Sequence, residues 1–452
     1  MISQSRSMAL ELLNQVTFDD AYANLAMQKL LRHSKMSARD KSFAQELAFG
    51  AIRNQLTYDR IIDNVSSRKS SEIDATLLNC LRLGCHQILN MRVPDHAAIS
   101  ETVDLVRKNC GEKVVGFANG ILRSISQQPL ENWLAQLKRS TSAEEYRTLA
   151  FSHPLWIINA YRSALEADGL AEDLEKLLEI NNNPAEVNLV ALPGLATRPA
   201  EGESIQHNKN SPYGFSISGG NPTELDGFEN GSIRVQDEGS QLAALTLADF
   251  RPIRESERWL DLCAGPGGKS AVLAAIAKLN GVEFEANEPM EHRAALVEEA
   301  LVSIGQFKVH RADGRSFANT QSGKFDRILL DAPCTGLGAL RRRPEARWRK
   351  SDQDLKDLCK LQYELLESAI SLLKDDGVCL YVTCSPHLSE TTAIIDKAVQ
   401  NLEIEVEDLT AVLNTKYFSN TLPTNRKTVQ LFTHRDGMDS MFMAMLRKQS
   451  RQ

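Results

Sequence analysis

From Ile233 onward, short apolar runs alternate with helix-patterned stretches, and few architectures accept that pattern. The runs are RWLDLC (258–263), VEFEAN (282–287), FKVH (307–310), FDRILLD (325–331) and VCLYVTC (378–384). Between them lie SAVLAAIAK, EHRAALVEEAL and LKDLCKLQYELLESAISLL. Runs this short and this apolar read as strands covered on both faces, with the intervening segments as crossover helices. The pattern predicts a mostly parallel α/β sheet flanked by helices. TVQLFT and SMFMAML, joined by HRDGMD, predict an antiparallel finish.

The rest of the 452 residues divides differently. Residues 1–128 carry apolar positions at helical spacing in Met8–Leu12, Leu25–Leu31, Phe43–Ile52, Leu77–Leu89 and Ala97–Val106, which predicts an all-α domain. Ser37 and Pro94 are the expected helix starts. Residues 129–230 mix a helical stretch with NNNPAEVNLVALPG and SPYGFSISGGNPTELDG, which predicts a small α/β connector. Residues 231–452 form the third domain.

The chain has 52 basic and 59 acidic side chains, so it is not a uniform nucleic-acid coat, although a local basic patch is allowed. The charge is uneven: residues 1–128 hold 16 basic and 13 acidic side chains, so the helical part is the more basic one. The eight cysteines include no C-x-x-C pair, and a chain of this size buries its core without disulfides or a structural metal. Cys80, Cys85 and His86 lie in an apolar periodic stretch and are expected as helix core, so no metal is expected. The N-terminus has no apolar leader, and no stretch is long and apolar enough for a membrane span. These features and the unpaired thiols predict a cytoplasmic protein.

The first strand of the alternating region runs into Asp261-Leu262-Cys263-Ala264-Gly265-Pro266-Gly267-Gly268-Lys269-Ser270 and then a helix. Glycines there let the backbone approach a ligand that faces the helix N-terminus. A phosphate loop would need glycine at Cys263, and a dinucleotide loop would need it at Ser270. A nucleoside without phosphate needs neither pattern. Glu288 closes the next strand, where a carboxylate can accept from a ribose diol. Asp313 and Asp331 follow the third and fourth strands. Acidic groups along one sheet edge, with only Lys269 nearby, suit a cationic nucleoside such as S-adenosylmethionine better than a triphosphate.

The fourth strand leads into Asp331-Ala332-Pro333-Cys334-Thr335 and the fifth into Thr383-Cys384-Ser385. Two thiols at successive strand ends point to covalent chemistry. C5 of cytosine becomes a carbon nucleophile only after a thiolate adds to C6, and Asp331 would hold the ring near N3/N4. Arg341, Arg342, Arg343, Arg347, Trp348, Arg349 and Lys350 then form a basic run around an indole, expected to pair with phosphate and stack on a base. Two other readings compete: a P-loop nucleotidase that remodels RNA, and a non-catalytic RNA-binding factor built on the helical front.

DLCAGPGGKS, LLDAPCTGLGALRRRPEARW and YVTCS, with VQDEGSQ (235–241) and DGMDSMFMAML, resemble the bacterial rRNA cytosine-C5 methyltransferases of the RsmB/Sun/Fmu family. RDKSFAQELAFGAIRN is similar to the NusB-like RNA-binding domain that this family carries at its front. The resemblance implies a NusB-like domain at 1–128 and a Rossmann-like class I methyltransferase domain with a seven-stranded sheet at 231–452. It implies Cys384 as nucleophile, Cys334 assisting proton removal or product release, and Asp331 beside the ring. Cys263 to Lys269, Glu288, Asp313 and Asp331 would line the S-adenosylmethionine pocket. In DNA cytosine methyltransferases the Pro-Cys thiol is the nucleophile, which makes Cys334 the rival. The implied substrate is 16S rRNA, free or early in assembly, at cytosine 967, with the enzyme acting as a monomer. Glu288 stands where aspartate is common, and Cys263 where alanine is.

Overall fold

The computed structural model describes residues 3–219, 221–319, 324–419, 421–423 and 425–449. It divides into two compact units, one of 1–162, 172–184 and 340–349, the other of 163–171, 185–339 and 350–452.

The first unit is helical, and local sequence marks several of its helix starts. Ser37 accepts from the Asp40 N–H at the start of Ala38–Arg53, Asp74 caps Ala75–Leu89, and Pro94 precedes Asp95–Cys110. Helix Ala75–Leu89 is central, with Leu77, Cys80, Leu81, Leu83, Cys85 and His86 all buried. Cys80 and Cys85 are core residues, as expected. This unit is larger than residues 1–128, because helices continue through Leu130–Ser140, Ala143–Ala150 and Leu174–Asn181.

It also takes in 340–349, which corrects part of the RNA-contact expectation. Arg347 is 1% exposed. Its Nη1 donates to the carbonyls of Arg53 and Ser152 and to Asn182 Oδ1 at 3.0, 3.1 and 2.8 Å, and its Nη2 to the Asn181 carbonyl at 2.8 Å. Arg53 and Asn181 end helices, where carbonyls lack intrahelical partners and carry partial negative charge. Burial, helped by the Arg53 charge, pulls the Arg347 pKa down to about 9. Trp348 Nε1 donates to the Ile52 carbonyl at 3.3 Å, and Arg349 Nη2 to that of Ala21 at 2.6 Å. Arg347 is therefore spent on helix-end carbonyls and closed off from a phosphate, while Trp348 and Arg349 are half-buried.

The second unit holds two sheets. Strands β1 (Val187–Ala191), β2 (Ile205–His207), β3 (Gly214–Ile217) and β4 (Ile233–Val235) form a small antiparallel sheet in the order β2-β3-β1-β4. The connector's strands thus run slightly past residue 230. The large sheet contains β5 (Arg258–Asp261), β6 (Glu283–Asn287), β7 (Lys308–His310), β8 (Phe325–Asp331), β9 (Leu373–Thr383), β10 (Ile404–Val406), β11 (Val429–Leu431) and β12 (Met441–Lys448). Its order is β10-β12-β9-β8-β5-β6-β7, with β11 paired to β12. The five strands from β9 to the edge strand β7 are parallel, and β12 lies antiparallel against β9.

From β5 the chain proceeds outward to β6 and β7, then returns to β8 on the other side of β5. That reversal opens a crevice at the carboxyl ends of β5 and β8, where open α/β sheets bind ligands. At the opposite end of the same strands the polar groups are closed off. Buried Arg327 donates to Glu257 (2.7 Å) and to the carbonyls of Leu247, Ala248, Arg251 and Pro252, while Trp259 Nε1 donates to Glu257 at 2.7 Å.

Candidate active site

The glycine loop leaves β5 and enters helix Gly268–Leu279. Gly267 has φ +103°, and a Cβ there would lie 2.6 Å from that of Ala300, so only glycine lets the loop pack on helix Glu291–Val302. Glu288 secures the loop from β6: its carboxylate accepts from the Gly265 N–H at 3.2 Å and from that of Met290 at 3.1 Å, with Arg293 at 3.4 Å. Asn287 donates to the carbonyls of Leu262 and Ala312 and accepts from the Ala312 N–H, tying together the ends of β5, β6 and β7. Beneath the loop, buried Asp261 accepts from the Ser270 hydroxyl at 2.6 Å. Burial pushes its carboxyl up to about 7 although Ser270 pulls the other way.

Asp331, ending β8, accepts from Lys269 Nζ at 2.7 Å. Burial works against the Lys269 ammonium, but Asp331, by charge and hydrogen bond, together with Cys384 and Asp261, outweighs it and raises its pKa. Asp331 pairs with Val382 in the β8–β9 register, so the loops after both strands emerge side by side. Gly338 donates its N–H to the Cys384 carbonyl at 2.9 Å, and a Cβ on Gly338 would sit 1.8 Å from the Ser440 carbonyl. The backbones can meet this closely only at glycine.

The result is a pair of sulfurs, Cys334 Sγ and Cys384 Sγ, 3.4 Å apart. The Cys384 sulfur first, then burial, pushes the Cys334 thiol well above its usual pKa. Two thiols this close cannot both ionise readily, so they titrate as a pair.

The structure brings together Cys263 to Lys269, Glu288, Asp331, Cys334 and Cys384. Asp313 stands apart: it is exposed and doubly bonded to Arg315, which holds its carboxyl below the usual range. Arg343 is exposed, and Arg341 and Arg342 are half-buried.

One residue at the glycine loop was not singled out by the sequence. Gln236 is buried against Gly268, with neither polar atom of its amide bonded within the chain. It lies in the VQDEGSQ stretch, but nothing in its local pattern marks a lone glutamine as a ligand.

The comparisons with known proteins bear on what this crevice serves. The model for 16S rRNA methyltransferase RsmB/F matches residues 250–447, and that for the NusB family residues 3–127. Over 451 residues the chain is 39% identical to the putative methyltransferase Rv1407 of Mycobacterium tuberculosis, covering 99% of this chain and 97% of that protein. It is 30% identical to ribosomal RNA small subunit methyltransferase B of Escherichia coli O6:K15:H31, covering 84% and 86% of the two. The chain belongs to the RsmB/F family of rRNA methyltransferases. The crystal structure of PH0851 shares the fold, with a TM-score of 0.80 at 21% identity, covering 99% of this chain and 100% of that one.

The RsmB/F family uses S-adenosylmethionine as donor, and the residues present fit it. An unbonded buried amide beside a helix N-terminus, Glu288 at the next strand end and a lysine already paired to Asp331 suit a nucleoside without phosphates. Among the described residues no helix is long and apolar enough to cross a membrane, and no His/Cys/Asp/Glu group could hold a metal ion.

Proposed function

We propose that this chain methylates C5 of a cytosine in 16S rRNA through a covalent adduct between Cys384 and C6, with cytosine 967 as the target. The observation that carries the reading is the thiol pair, 3.4 Å apart and beside the Lys269–Asp331 ion pair at the mouth of the glycine-loop crevice.

Bound S-adenosylmethionine supplies an electrophilic methyl group. Gln236 and the glycine loop would hold it, and Glu288 would take the ribose hydroxyls. Asp331 holds the cytosine edge near N3/N4 and stabilises the charge that develops on the ring. Cys384 Sγ forms a bond to C6, which makes C5 nucleophilic, and C5 takes the methyl group as its bond to the donor sulfonium breaks and leaves a neutral thioether. The C5 proton then leaves and the sulfur–C6 bond breaks, with Cys334 placed to assist either step. Lys269, close enough to be influenced by Cys384, favours the thiolate there.

The base must leave its stack to reach these sulfurs, so the substrate is a single-stranded or flipped nucleotide in RNA that is free or early in assembly. Exposed Arg343, with Arg341 and Arg342, guides the RNA backbone with the rest of the helical unit. We read the enzyme as a cytoplasmic monomer, with Asp313 at the outer rim of the donor site. Bisulfite sequencing of small-subunit rRNA from cells with and without the gene tests the reaction. One cytosine protected only when the gene is present is the expected result, and an identical pattern in both strains overturns it.

A further inference from the structure

Glu390 takes no part in the chemistry above, yet its carboxylate is completely buried and saturated with donors. Oε1 accepts from the Thr335 N–H at 2.8 Å and from Gln362 Nε2 at 3.0 Å. Oε2 accepts from the Thr335 hydroxyl and from that of Ser385, the latter at 2.6 Å. Thr335 follows Cys334 in the chain, and Ser385 follows Cys384. One carboxylate therefore grips the neighbour of each thiol.

The surroundings reinforce this grip. The Thr335 and Ser385 oxygens lie 3.1 Å apart. Gln362 Nε2 also donates, at 2.8 Å, to the carbonyl of Pro333, which precedes Cys334. Tyr381 of β9 donates to the main-chain carbonyl of Glu390 at 2.8 Å, which holds the residue against the strand that ends at the TCS motif. A carboxylate only accepts, through about four lone-pair sites, and here four donors from three elements converge on it. A buried charge satisfied this fully stiffens what it joins. What it joins is the loop after β8 and the loop after β9.

We propose that Glu390 is a positioning residue for the reacting thiols: through Thr335 and Ser385 it sets the distance between the sulfurs of Cys334 and Cys384. The inference rests on the reading of these two cysteines as the reacting pair, and it does not depend on which nucleotide is methylated.

Phenylarsine oxide, which bridges two thiols only when they lie close together, tests the spacing on the full chain without RNA. Bridging is mapped by peptide mass to Cys334 and Cys384, so that the neighbouring Cys80 and Cys110 are not counted. Glu390→Ala is expected to lose most of the bridging and to lower kcat by about 100-fold, with the KM for S-adenosylmethionine unchanged. Glu390→Gln keeps an acceptor oxygen at the junction and is expected to restore bridging. Thr335→Val, isosteric but lacking the hydroxyl, stands in if the alanine variant does not fold, and is expected to bridge more slowly than the parent. Full bridging in the folded alanine or valine variant would overturn the proposal, as would equal loss in the alanine and glutamine variants. Bridging that behaves as expected alongside an unchanged bisulfite pattern would leave Glu390 as the spacer and remove the methylation reading instead.

Discussion

The two ends of strands β5 and β8 carry ion pairs of opposite design. At the amino end Arg327 and Glu257 have side chains 0% and 1% exposed, and main-chain carbonyls occupy the guanidinium donors that Glu257 leaves. At the carboxyl end Lys269 and Asp331 are joined by one 2.7 Å bond, and the Asp331 side chain is 28% exposed. The first pair has no capacity left for a ligand. The second keeps part of its carboxylate open to the crevice, with two sulfurs next to it. One end of the sheet serves stability and the other serves chemistry, a division that follows from where the strand order reverses.

The largest expected effect lies at the open end. Cys384→Ala should lower methyl transfer to rRNA by about 10⁴-fold or more, measured with tritiated donor, while the thermal midpoint stays put. Cys334→Ala should instead accumulate a protein–RNA species that survives a denaturing gel. Exchanged phenotypes would make Cys334 the nucleophile.

The closed end should show the reverse. Arg327→Met leaves buried Glu257 with only the Trp259 N–H and the half-exposed Arg254 as partners and should cost about 3 kcal/mol in urea unfolding. Donor affinity of the fraction that stays folded should match the parent. A weakened affinity at full stability would erase the contrast between the two ends.

Asp261 sits between these extremes, buried under the open end. Its carboxyl is pushed up to about 7, so across the acidic range the folded chain holds a proton that the unfolded chain, with an aspartate pKa of about 3.9, has released. Stability should therefore fall as pH rises from about 4 to 7 and level off above, by at most roughly 1.4 kcal/mol per pH unit. Asp261→Asn should remove that slope from a pH series of unfolding curves. Smallest of all, Arg315→Ala breaks only surface pairs, with Asp313 and Glu364, and should leave the urea midpoint where it was.

Much of this site could be read before any coordinates. Parallel strands covered on both faces appear in sequence as bare apolar runs, so β5, β6, β7, β8 and β9 were recognisable, and the motif residues follow directly at their ends. The basic run after Cys334 shows where reading by composition fails. Arginines around a tryptophan look the same whether they meet phosphate or helix ends, and the carbonyls that Arg347 serves come from Arg53, Ser152 and Asn181, far away along the chain.

The sequence by itself determined the architecture of the sheet and the identity of the groups along its carboxyl edge, because burial and turn chemistry are local demands written at fixed spacing. Tertiary structure alone decided that two sulfurs would stand 3.4 Å apart, that Glu390 would grip the residue after each, that Gln236 would lie against Gly268, and that Arg347 would be spent on carbonyls. Those outcomes depend on which distant backbone groups are left without partners once the chain has packed, and no spacing along the sequence encodes that.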